Sequence, residues 1–436
     1  MEKEQDVTRR DFLKTAAVAA AATTLPGMGA PALLAAPVVS NPVRYGIIGT
    51  GSRALELIKA LSTIPEGKCV ATCDIYPVNL KKGAEAVGGN PRPYVDYKEL
   101  LAQKDVDAVL VTTPLYLHAQ MLIDALDAGK HVFVEKSMFF KEEEAAPIRQ
   151  AAAAHPKQVL QVGLQRRSSV LYRIAQHMIQ KGALGNLTFI RAQWHRNNNW
   201  RRPVADPKLE RQINWRMYRD YSGGLMAELG SHQIDVANWA LGAEPISVMG
   251  NGGINHWRDG REVNDNVQAI FEYPGGQKLL YSSILCNAHY DYNEQIMGDG
   301  GTLVITIGKG MYYREAVAKA TATAKENWWA GATVTKSAAD VGFPIYPDQE
   351  TADHGFVDRE FRYAKHWLAS IGIYDYEEPH DPNWSELNNF FASIRDGKPV
   401  AAPLEVGVAD ALAVIYANRA IDTGQKVLWP KKDVVT

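Results

Sequence analysis

One short segment of the sequence places three side chains at spacings that suit proton transfer. Glu228, His232 and Asp235 are four and three positions apart, so they project from one face if the segment is helical. A histidine beside a carboxylate is well matched to moving a proton near neutral pH. The segment also fits a helix with an acidic first turn and a solvated histidine, or a metal site. Because no third ligand of comparable spacing is evident, we predict no metal.

A glycine-rich turn lies far upstream, after a short apolar run that predicts a buried strand over Val43–Ile48. A G-x-G-x-x-A motif from Gly49 to Ala54 follows, and then an amphipathic stretch over 55–61 that predicts a helix. The first glycine permits a tight turn, the second lets backbone approach a pyrophosphate, and Ala54 is small enough for close packing. The N–H groups of the helix N-terminus would face the phosphates. This order predicts a dinucleotide site; the alternative is a tight turn in another kind of α/β domain.

An acidic residue stands at the end of the second predicted strand, Lys68–Cys73. Asp74 can accept hydrogen bonds from both ribose hydroxyls, and its charge would repel a 2′-phosphate. No arginine or lysine stands in the next few residues to receive such a phosphate. The sequence therefore favours NAD over NADP.

Strands and helices alternate through the rest of this region. Three more strands and a helix are predicted, at 107–112, 131–134 and 158–163 and at 119–128. Alternation of this kind indicates a parallel, doubly wound α/β sheet, which binds ligands at the carboxyl ends of its strands. The residues of interest at these ends are Gly49, Asp74, Pro114 and Lys136. We therefore expect one crevice to collect them.

The second half of the chain has a different pattern. Longer strand candidates, rich in β-branched and aromatic residues, occur at 187–195, 246–254, 264–273 and 277–285. The sequence Pro274-Gly275-Gly276 joins the last two and predicts a hairpin turn. We expect an α+β domain with a largely antiparallel sheet over 166–436, after a dinucleotide-binding domain over 37–165.

The first 36 residues differ from the rest. Paired arginines within Thr8–Lys14 precede an alanine-rich apolar stretch over 15–25, and small residues and prolines then run to Pro37. These features are typical of a signal peptide, and the paired arginines resemble the twin-arginine export signal. The apolar stretch is too short to span a bilayer, which needs about 20 residues. We predict export by the twin-arginine machinery, to the periplasm or beyond; the alternative is a disordered basic tail or an amphipathic anchor.

The overall composition limits the class of protein. The 436 residues are 46% hydrophobic and 22% charged, which predicts two or three soluble globular domains. Because 47 Lys and Arg nearly balance 49 Asp and Glu, the chain lacks the basic excess expected of nucleic-acid binders and membrane-surface proteins. Three cysteines are too few for a disulfide framework, and no later apolar run is long enough to be transmembrane.

Several motifs occur in a fixed order and together carry a resemblance. They are the G-x-G-x-x-A turn, Thr113-Pro114 with His118, Ala128-Gly129-Lys130-His131-Val132, Glu135-Lys136, and Gly230-x-His232-x-x-Asp235. The set resembles the glucose–fructose oxidoreductase, inositol dehydrogenase and MocA family, from about residue 42 to the carboxyl end and most weakly between about 305 and 385. The resemblance implies a Rossmann domain joined to an α+β domain with an open antiparallel sheet. That sheet commonly makes subunit contacts, so a homo-oligomer is implied.

The resemblance also implies roles for individual residues. Lys136 matches the lysine of the family's Glu-Lys-Pro motif, and its ammonium would stabilise negative charge on the substrate oxygen as the hydride leaves carbon. His232 matches the acid/base histidine, with Glu228 or Asp235 orienting it. Ser137 replaces the usual proline, so the cis peptide often found there is not assured. Glu228 stands where many members carry the shorter aspartate.

The expected site residues form three groups. Catalysis is expected of Lys136, His232, Glu228 and Asp235. The NAD site is expected to include Gly49, Gly51, Ser52, Arg53, Ala54, Asp74, Thr113, Pro114, His118, Glu135 and Lys136. The substrate side is expected to include Gln165, Arg166, Trp194 and His195. Aromatic faces stack on sugar C–H surfaces and polar groups bind hydroxyls, although a surface loop anchored by tryptophans would look similar.

The leading hypothesis is an NAD-dependent oxidoreductase that moves a hydride between the cofactor and a hydroxyl-bearing carbon of a sugar or glycoside. The twin-arginine route carries folded proteins, and free NAD is scarce outside the cytoplasm. NAD would therefore stay tightly bound, and turnover would be redox-neutral. The alternative enzyme is an NAD-dependent glycoside hydrolase that acts by transient oxidation and elimination. A third hypothesis is a non-catalytic sugar or nucleotide sensor, because fold does not imply function.

Overall fold

Two large β-sheets carry the fold of this protein, one of six strands and one of nine. The structure is a computed structural model and describes residues 41–315, 326–327, 332–333, 342–346, 357–374 and 380–430. The predicted signal peptide, residues 1–36, lies outside the described residues.

The six strands of the first sheet are all parallel and form from short apolar runs. They are β1 Val43–Ile48, β2 Gly67–Cys73, β3 Arg92–Tyr94, β4 Ala108–Val111, β5 His131–Glu135 and β6 Leu160–Gly163, in the order β3-β2-β1-β4-β5-β6. The predicted doubly wound sheet is confirmed. The strand order reverses between β1 and β4, which is where folds of this kind bind their ligands. The short edge strand β3 was not predicted, because its three residues carry no apolar run.

Helices cover both faces of this sheet, as a parallel sheet requires. They are α1 Ser52–Leu61, α2 Pro77–Val87, α3 Tyr97–Leu101, α4 His118–Asp127 and α5 Ala145–Ala154. Helix α1 buries an apolar stripe that includes Leu57 and Ile58. The predicted helix over 55–61 is therefore confirmed and begins three residues earlier.

The second sheet is mixed but largely antiparallel. Its strands are β7 Leu187–Trp194, β8 Ser247–Gly253, β9 Asn266–Glu272, β10 Lys278–Ile284, β11 Tyr292–Gly298, β12 Gly301–Thr306 and β13 Lys309–Arg314, with β16 Gly342–Tyr346 and β17 Val427–Leu428. A separate ribbon pairs β14 Glu326–Asn327 with β15 Ala332–Thr333. Strands β7 and β10 are parallel neighbours, and the other pairs in the nine-stranded sheet are antiparallel.

The predicted strands and the hairpin of this second sheet are confirmed. The hairpin turn closes where Tyr273 N donates to Gln277 O at 2.9 Å, and Gly276 takes a φ of +82° that suits glycine. Along β10, buried and half-buried side chains alternate, so one face of the sheet is packed and the other open. Strands β11 to β13 and β16 were not predicted.

Further helices follow β6 along the chain. They are α6 Val170–Gln180, α7 Glu210–Ile213, α8 Ser231–Leu241, α9 Val357–Ser370, α10 Pro382–Asp396 and α11 Leu404–Thr423. Helix α8 is buried over most of its length and follows a π-helical turn at Met226–Gly230. Gly242, in the left-handed conformation at φ +60°, ends it.

The chain returns to the first sheet near its carboxyl end. Phe390 and Phe391 of α10 are both fully buried, with their ring centres 5.9 Å from Phe133 and 5.4 Å from Tyr45 respectively. The division of the chain into two domains at residue 165 stays a prediction. Helix α10 lies within the predicted second domain, yet it packs on the first sheet. Among the described residues, none of the helices is long and apolar enough to cross a membrane.

The buried ring of Phe391 supplies a test of this packing. A Cβ added at Gly67 would lie 2.5 Å from that ring, so the space around it is already filled. We expect Phe391→Ala to lower the free energy of unfolding by about 3 to 5 kcal/mol, measured by chemical denaturation. Tyr374→Ala is the matched control, since Tyr374 is 74% exposed and should change stability by at most about 0.5 kcal/mol. Equal losses in the two variants would contradict the packing described.

Candidate active site

A cavity of about 890 Å³ opens at the carboxyl ends of the parallel strands, on the side where the strand order reverses. The chain from Trp194 to Arg216 and the turn that leads into α8 form its other walls. Most of the predicted site residues line it, namely Gly49, Gly51, Ser52, Arg53, Asp74, Thr113, Pro114, His118, Glu135, Lys136, Gln165, Trp194, Glu228 and His232. Four predicted residues do not line it: Ala54, Arg166, His195 and Asp235.

The glycine turn has the geometry of a phosphate cradle. Gly49 has a φ of +88°, and a Cβ there would lie 2.9 Å from Thr113 N, so the turn needs glycine. Gly51 precedes α1 without any side-chain cap, so the first N–H groups of the helix are left for a ligand. Ala54 is 1% exposed and packs beneath the turn instead of lining the cavity. These residues fit the pyrophosphate of a dinucleotide.

Asp74 is held at the end of β2 by the backbone around it. One carboxylate oxygen accepts from Thr50 N at 2.8 Å and the other from Tyr76 N at 2.8 Å. The carboxylate lines the cavity, where a ribose would lie next to the pyrophosphate. Asn79 and Lys82, on the following helix, also line the cavity and were not predicted, because no motif marks them.

His118 and Arg53, both predicted for the NAD site, contact other parts of the cavity wall, His118 at backbone carbonyls and Arg53 through an ion pair. His118 is buried, with its Nδ1 2.9 Å from Ser137 O and its Nε2 2.9 Å from Thr113 O. Burial lowers the pKa of His118, and a neutral imidazole donates to one of these carbonyls. Arg53 donates through Nε to Glu135 Oε1 at 2.7 Å and so ties the glycine turn to the end of β5.

The ammonium of Lys136 reaches across the cavity to the turn before α8. Its Nζ donates to Ala227 O at 3.0 Å and to Glu228 O at 2.8 Å, which leaves one N–H for the cavity. Burial lowers the pKa of Lys136, although Glu228 and Glu135 act in the opposite direction. The peptide bond from Lys136 to Ser137 is cis, the conformation that the serine had left open.

His232 lies buried in the cavity wall with its Nδ1 unpartnered in the described residues. Its ring centre is 5.7 Å from that of Trp194. Burial is the main cause that holds the pKa of His232 well below its usual value, and the positive charges of Arg166 and Lys136 add to the effect. The imidazole is therefore neutral near pH 7 and can accept a proton.

The expected contact from Glu228 or Asp235 to His232 is not formed. The Glu228 carboxylate accepts from Arg216 Nε at 2.7 Å, and Asp235 accepts from Arg167 at 2.7 to 2.9 Å. Burial opposes ionisation of Glu228, but Arg216 and Lys136 outweigh it and lower the pKa of Glu228. Glu228 lies in the π-helical turn, so it does not have the spacing to His232 that a regular helix gives to residues four apart. The carboxylates of Glu228 and Asp235 are instead bound by arginines.

Of the four residues expected on the substrate side, two line the cavity and two do not. Gln165 and Trp194 line the cavity. Arg166 Nε donates to Tyr292 OH at 2.9 Å, and its guanidinium lies among aromatic rings behind the wall. His195, the first residue after β7, has its Nε2 3.2 Å from Ser282 Oγ and does not line the cavity.

Three arginines in the chain after β7 also belong to the cavity wall: Arg196, Arg202 and Arg216. Arg202 and Arg216 were not predicted. Arg202 Nη2 donates to Ser52 Oγ at 2.7 Å, so a residue far along the chain reaches the glycine turn. The arginine-rich composition of this segment was the available signal, but irregular backbone has no period from which to infer direction. No cluster of three metal-ligating side chains occurs in the described ranges.

The low pKa of His232 has a consequence for acid stability. Because the folded pKa lies below that of an exposed imidazole, the unfolded chain binds the proton first as the pH falls below about 6.5, and folding loses free energy. We expect His232→Gln to reduce the loss of unfolding free energy between pH 7 and 5, by up to about 1.4 kcal/mol per pH unit. Chemical denaturation across this range measures it. The exposed His366→Gln should leave the pH profile unchanged.

Comparison with known proteins gives matches over both sheets. A family model described as an oxidoreductase family with an NAD-binding Rossmann fold matches residues 43–164. A model for the GFO/IDH/MocA C-terminal domain matches residues 172–304. A twin-arginine translocation signal model matches residues 6–26, within the predicted signal peptide. The predictions of an NAD site and of a twin-arginine signal are thereby confirmed.

Individual relatives agree with these matches. The chain is 30% identical to the NAD(+)-dependent scyllo-inositol 2-dehydrogenase of Bacillus subtilis, over 61% of this chain and 75% of that protein. It resembles the solved apo scyllo-inositol dehydrogenase of Lactobacillus casei, with a TM-score of 0.62, 22% identity, and coverage of 89% and 98% of the two chains. It also resembles the Bordetella pertussis WlbA dehydrogenase, solved with NADH and UDP-GlcNAcA, with a TM-score of 0.65, 20% identity, and coverage of 90% and 99%.

The structural likenesses show the fold, and the two domain models follow each other over the residues that build the two sheets. The cavity between those sheets contains the glycine turn, the acidic residue and the lysine–histidine pair that the resemblance implied. From these matches we conclude that the chain belongs to the GFO/IDH/MocA family of NAD-binding oxidoreductases.

Proposed function

We propose that this enzyme transfers a hydride between tightly bound NAD and a hydroxyl-bearing carbon of a sugar or glycoside. The observation that carries the proposal is the meeting of Lys136 and a neutral His232 in the cavity that also contains the glycine turn. A base for the hydroxyl proton and a cation for the oxygen are the two groups that oxidation of an alcohol needs from the protein.

The proposed division of labour follows from these side chains. When bound, NAD supplies the hydride acceptor. His232 takes the proton of the reacting hydroxyl, and the free N–H of Lys136 donates to the oxygen and stabilises its developing charge. The carbonyls of Ala227 and Glu228 hold the ammonium in place. In the reverse direction, the protonated His232 returns the proton to the oxygen.

The surrounding residues fit a polyhydroxylated substrate. Trp194 offers an aromatic ring close to the imidazole, and Gln165 lines the same cavity with an amide. The curated relative from Bacillus subtilis acts on scyllo-inositol, a ring that carries hydroxyl groups. A sugar or glycoside presents the same combination of C–H faces and hydroxyls.

Tight binding of NAD is supported by Arg202 and by the export signal. Arg202 has its guanidinium beside Ser52 at the start of α1, where a pyrophosphate would lie, so it would cover the phosphates from the opposite wall. The twin-arginine signal implies export, and outside the cytoplasm a dissociated NAD would be lost. One substrate would then reduce the bound cofactor and a second would reoxidise it. A periplasmic location and a homo-oligomer formed through the open face of the second sheet are further parts of this proposal.

The first test uses the mature protein purified with no added nucleotide. We expect pooled sugars or glycosides to raise the near-ultraviolet absorbance of reduced nicotinamide. Lys136→Met and His232→Asn should each slow this rise by about 100- to 10,000-fold while NAD remains bound, because each removes a group used in the transition state. The exposed Lys104→Met is the control and should react normally.

Each alternative result has a defined meaning for the proposal. A flat trace followed by release of NAD on denaturation would direct the search to other substrates or to redox-neutral glycoside cleavage. A protein that releases no NAD would contradict the bound-cofactor proposal. Undiminished rates in both the Lys136 and His232 variants would contradict the assigned roles.

A second test concerns the role of Arg202. We expect Arg202→Gln to speed dissociation of NADH by about 10- to 100-fold, because one charge-assisted contact to the phosphates is lost. Stopped-flow fluorescence of bound NADH measures the rate, and the nucleotide content after gel filtration gives an independent value. Arg258→Gln, at an exposed arginine outside the cavity, should retain NADH as the wild type does. Unchanged dissociation from the Arg202 variant would show that Arg202 does not hold the cofactor.

A further inference from the structure

The cavity wall near His232 contains a guanidinium that the described acidic side chains leave unneutralised. Arg196 follows β7, and its guanidinium carbon lies 4.7 Å from the centre of the Trp194 ring. Its Nε–H is buried without an acceptor, and none of its nitrogens forms an ion pair within the described part of the chain. The Trp194 Nε1–H beside it is likewise buried and unpartnered. Two neighbouring donors of the wall thus lack an acceptor from the protein.

Two other arginines of the cavity are paired with carboxylates, and Arg202, which is not, lies at the glycine turn beside Ser52. Arg53 is paired with Glu135 at 2.7 Å, and Arg216 with Glu228 at 2.7 Å. These pairs neutralise most of the charge that the two arginines bring to the wall. The charge of Arg196 has no carboxylate partner among the described residues, and it lies on the substrate side of the cavity, near the ring of Trp194.

The buried carboxyl groups of Glu294 and Asp410 form no ion pair with Arg196. Burial raises the pKa of Glu294 and of Asp410, which favours their neutral forms. The charges of Arg166 and Arg196 both act on His232 and disfavour its protonation. Arg196 therefore adds a positive charge close to the imidazole, and no described carboxylate forms an ion pair with it.

We propose that the substrate carries an anionic group, either a carboxylate or a phosphate ester, and that Arg196 binds it. A guanidinium suits both groups, because its planar donors pair with two oxygens at once. Trp194 is close to both functional groups: its ring centre is 5.7 Å from that of His232 and 4.7 Å from the guanidinium carbon of Arg196. A single sugar-sized molecule can therefore reach both. This inference rests on the proposed function and narrows its substrate class to sugar acids or sugar phosphates.

The test compares matched pairs of ligands that differ in charge. Calorimetric titration of the purified protein, with NAD added, uses D-glucose against D-glucuronate and D-glucose 6-phosphate, D-galactose against D-galacturonate, and D-glucitol against D-gluconate. We expect at least one anionic ligand to bind at least about 10-fold more tightly than its neutral partner. The carboxylate and phosphate members identify which anion the site takes. Higher ionic strength should weaken the anionic ligand only.

Variants at Arg196 separate its charge from its shape. Arg196→Gln should weaken binding of the preferred anion by about 10- to 100-fold and leave the neutral partner unchanged, and Arg196→Lys should recover part of the loss. Arg191→Gln is the matched control, because Arg191 lies on β7, shortly before Arg196, and is exposed. It should bind both ligands as the wild type does.

The outcomes distinguish this inference from the proposed function. Equal binding of charged and neutral partners in every pair, an equal effect of Arg196→Gln on both, or no binding of any ligand would overturn it. If a neutral sugar reduces bound NAD and no anion is preferred, the proposed function stands and this inference fails. If an anion binds through Arg196 but no ligand reduces NAD, the inference stands and hydride transfer to these sugars fails.

Discussion

The active site depends on one polar contact between the two sheets. Lys136 ends a strand of the parallel sheet, and its ammonium donates to the carbonyls of Ala227 and Glu228, in the π-helical turn that leads into the helix of His232. A buried ammonium is costly unless its hydrogens are accepted, so these two carbonyls stabilise it and also fix its direction. The same contact sets the position of His232 relative to the glycine turn. The proposed base and the glycine turn thereby lie in one cavity.

Ion pairing around this contact determines what the histidine can do. The two carboxylates near His232 in the sequence form ion pairs with arginines: Glu228 with Arg216, and Asp235 with Arg167. The imidazole is left buried, unpartnered at Nδ1 and surrounded by positive charge, so its neutral form is favoured. A histidine paired with a carboxylate would instead hold its proton more tightly. The arrangement suits a base more than a permanently charged group.

Much of the first sheet and its part of the site could be predicted, because both depend on local patterns. The strand–turn–helix at residues 43–61, the acidic Asp74 at the end of β2 and Lys136 at the end of β5 all lie where the sequence predicted. The prediction failed where direction depends on distant packing. His195 was expected on the substrate side, yet it lies just after the end of β7, near Ser282, and does not line the cavity. Arg202 and Arg216 were missed because they lie in a segment of short turns and irregular backbone that has no regular period.

The sequence by itself therefore determined the fold class, the dinucleotide turn and the preference for NAD. It also indicated Lys136 and His232, the two residues proposed for catalysis. Each of these depends on residue types at short spacings along the chain, and the local backbone geometry fixes how residues so spaced are placed. Only the tertiary structure decided which charges meet. Arg202 reaches Ser52 across 150 positions of the chain, and Arg196 is left beside Trp194 without a carboxylate among the described residues. Such contacts arise because the two sheets pack together, and nothing in the local sequence around either residue specifies its partner.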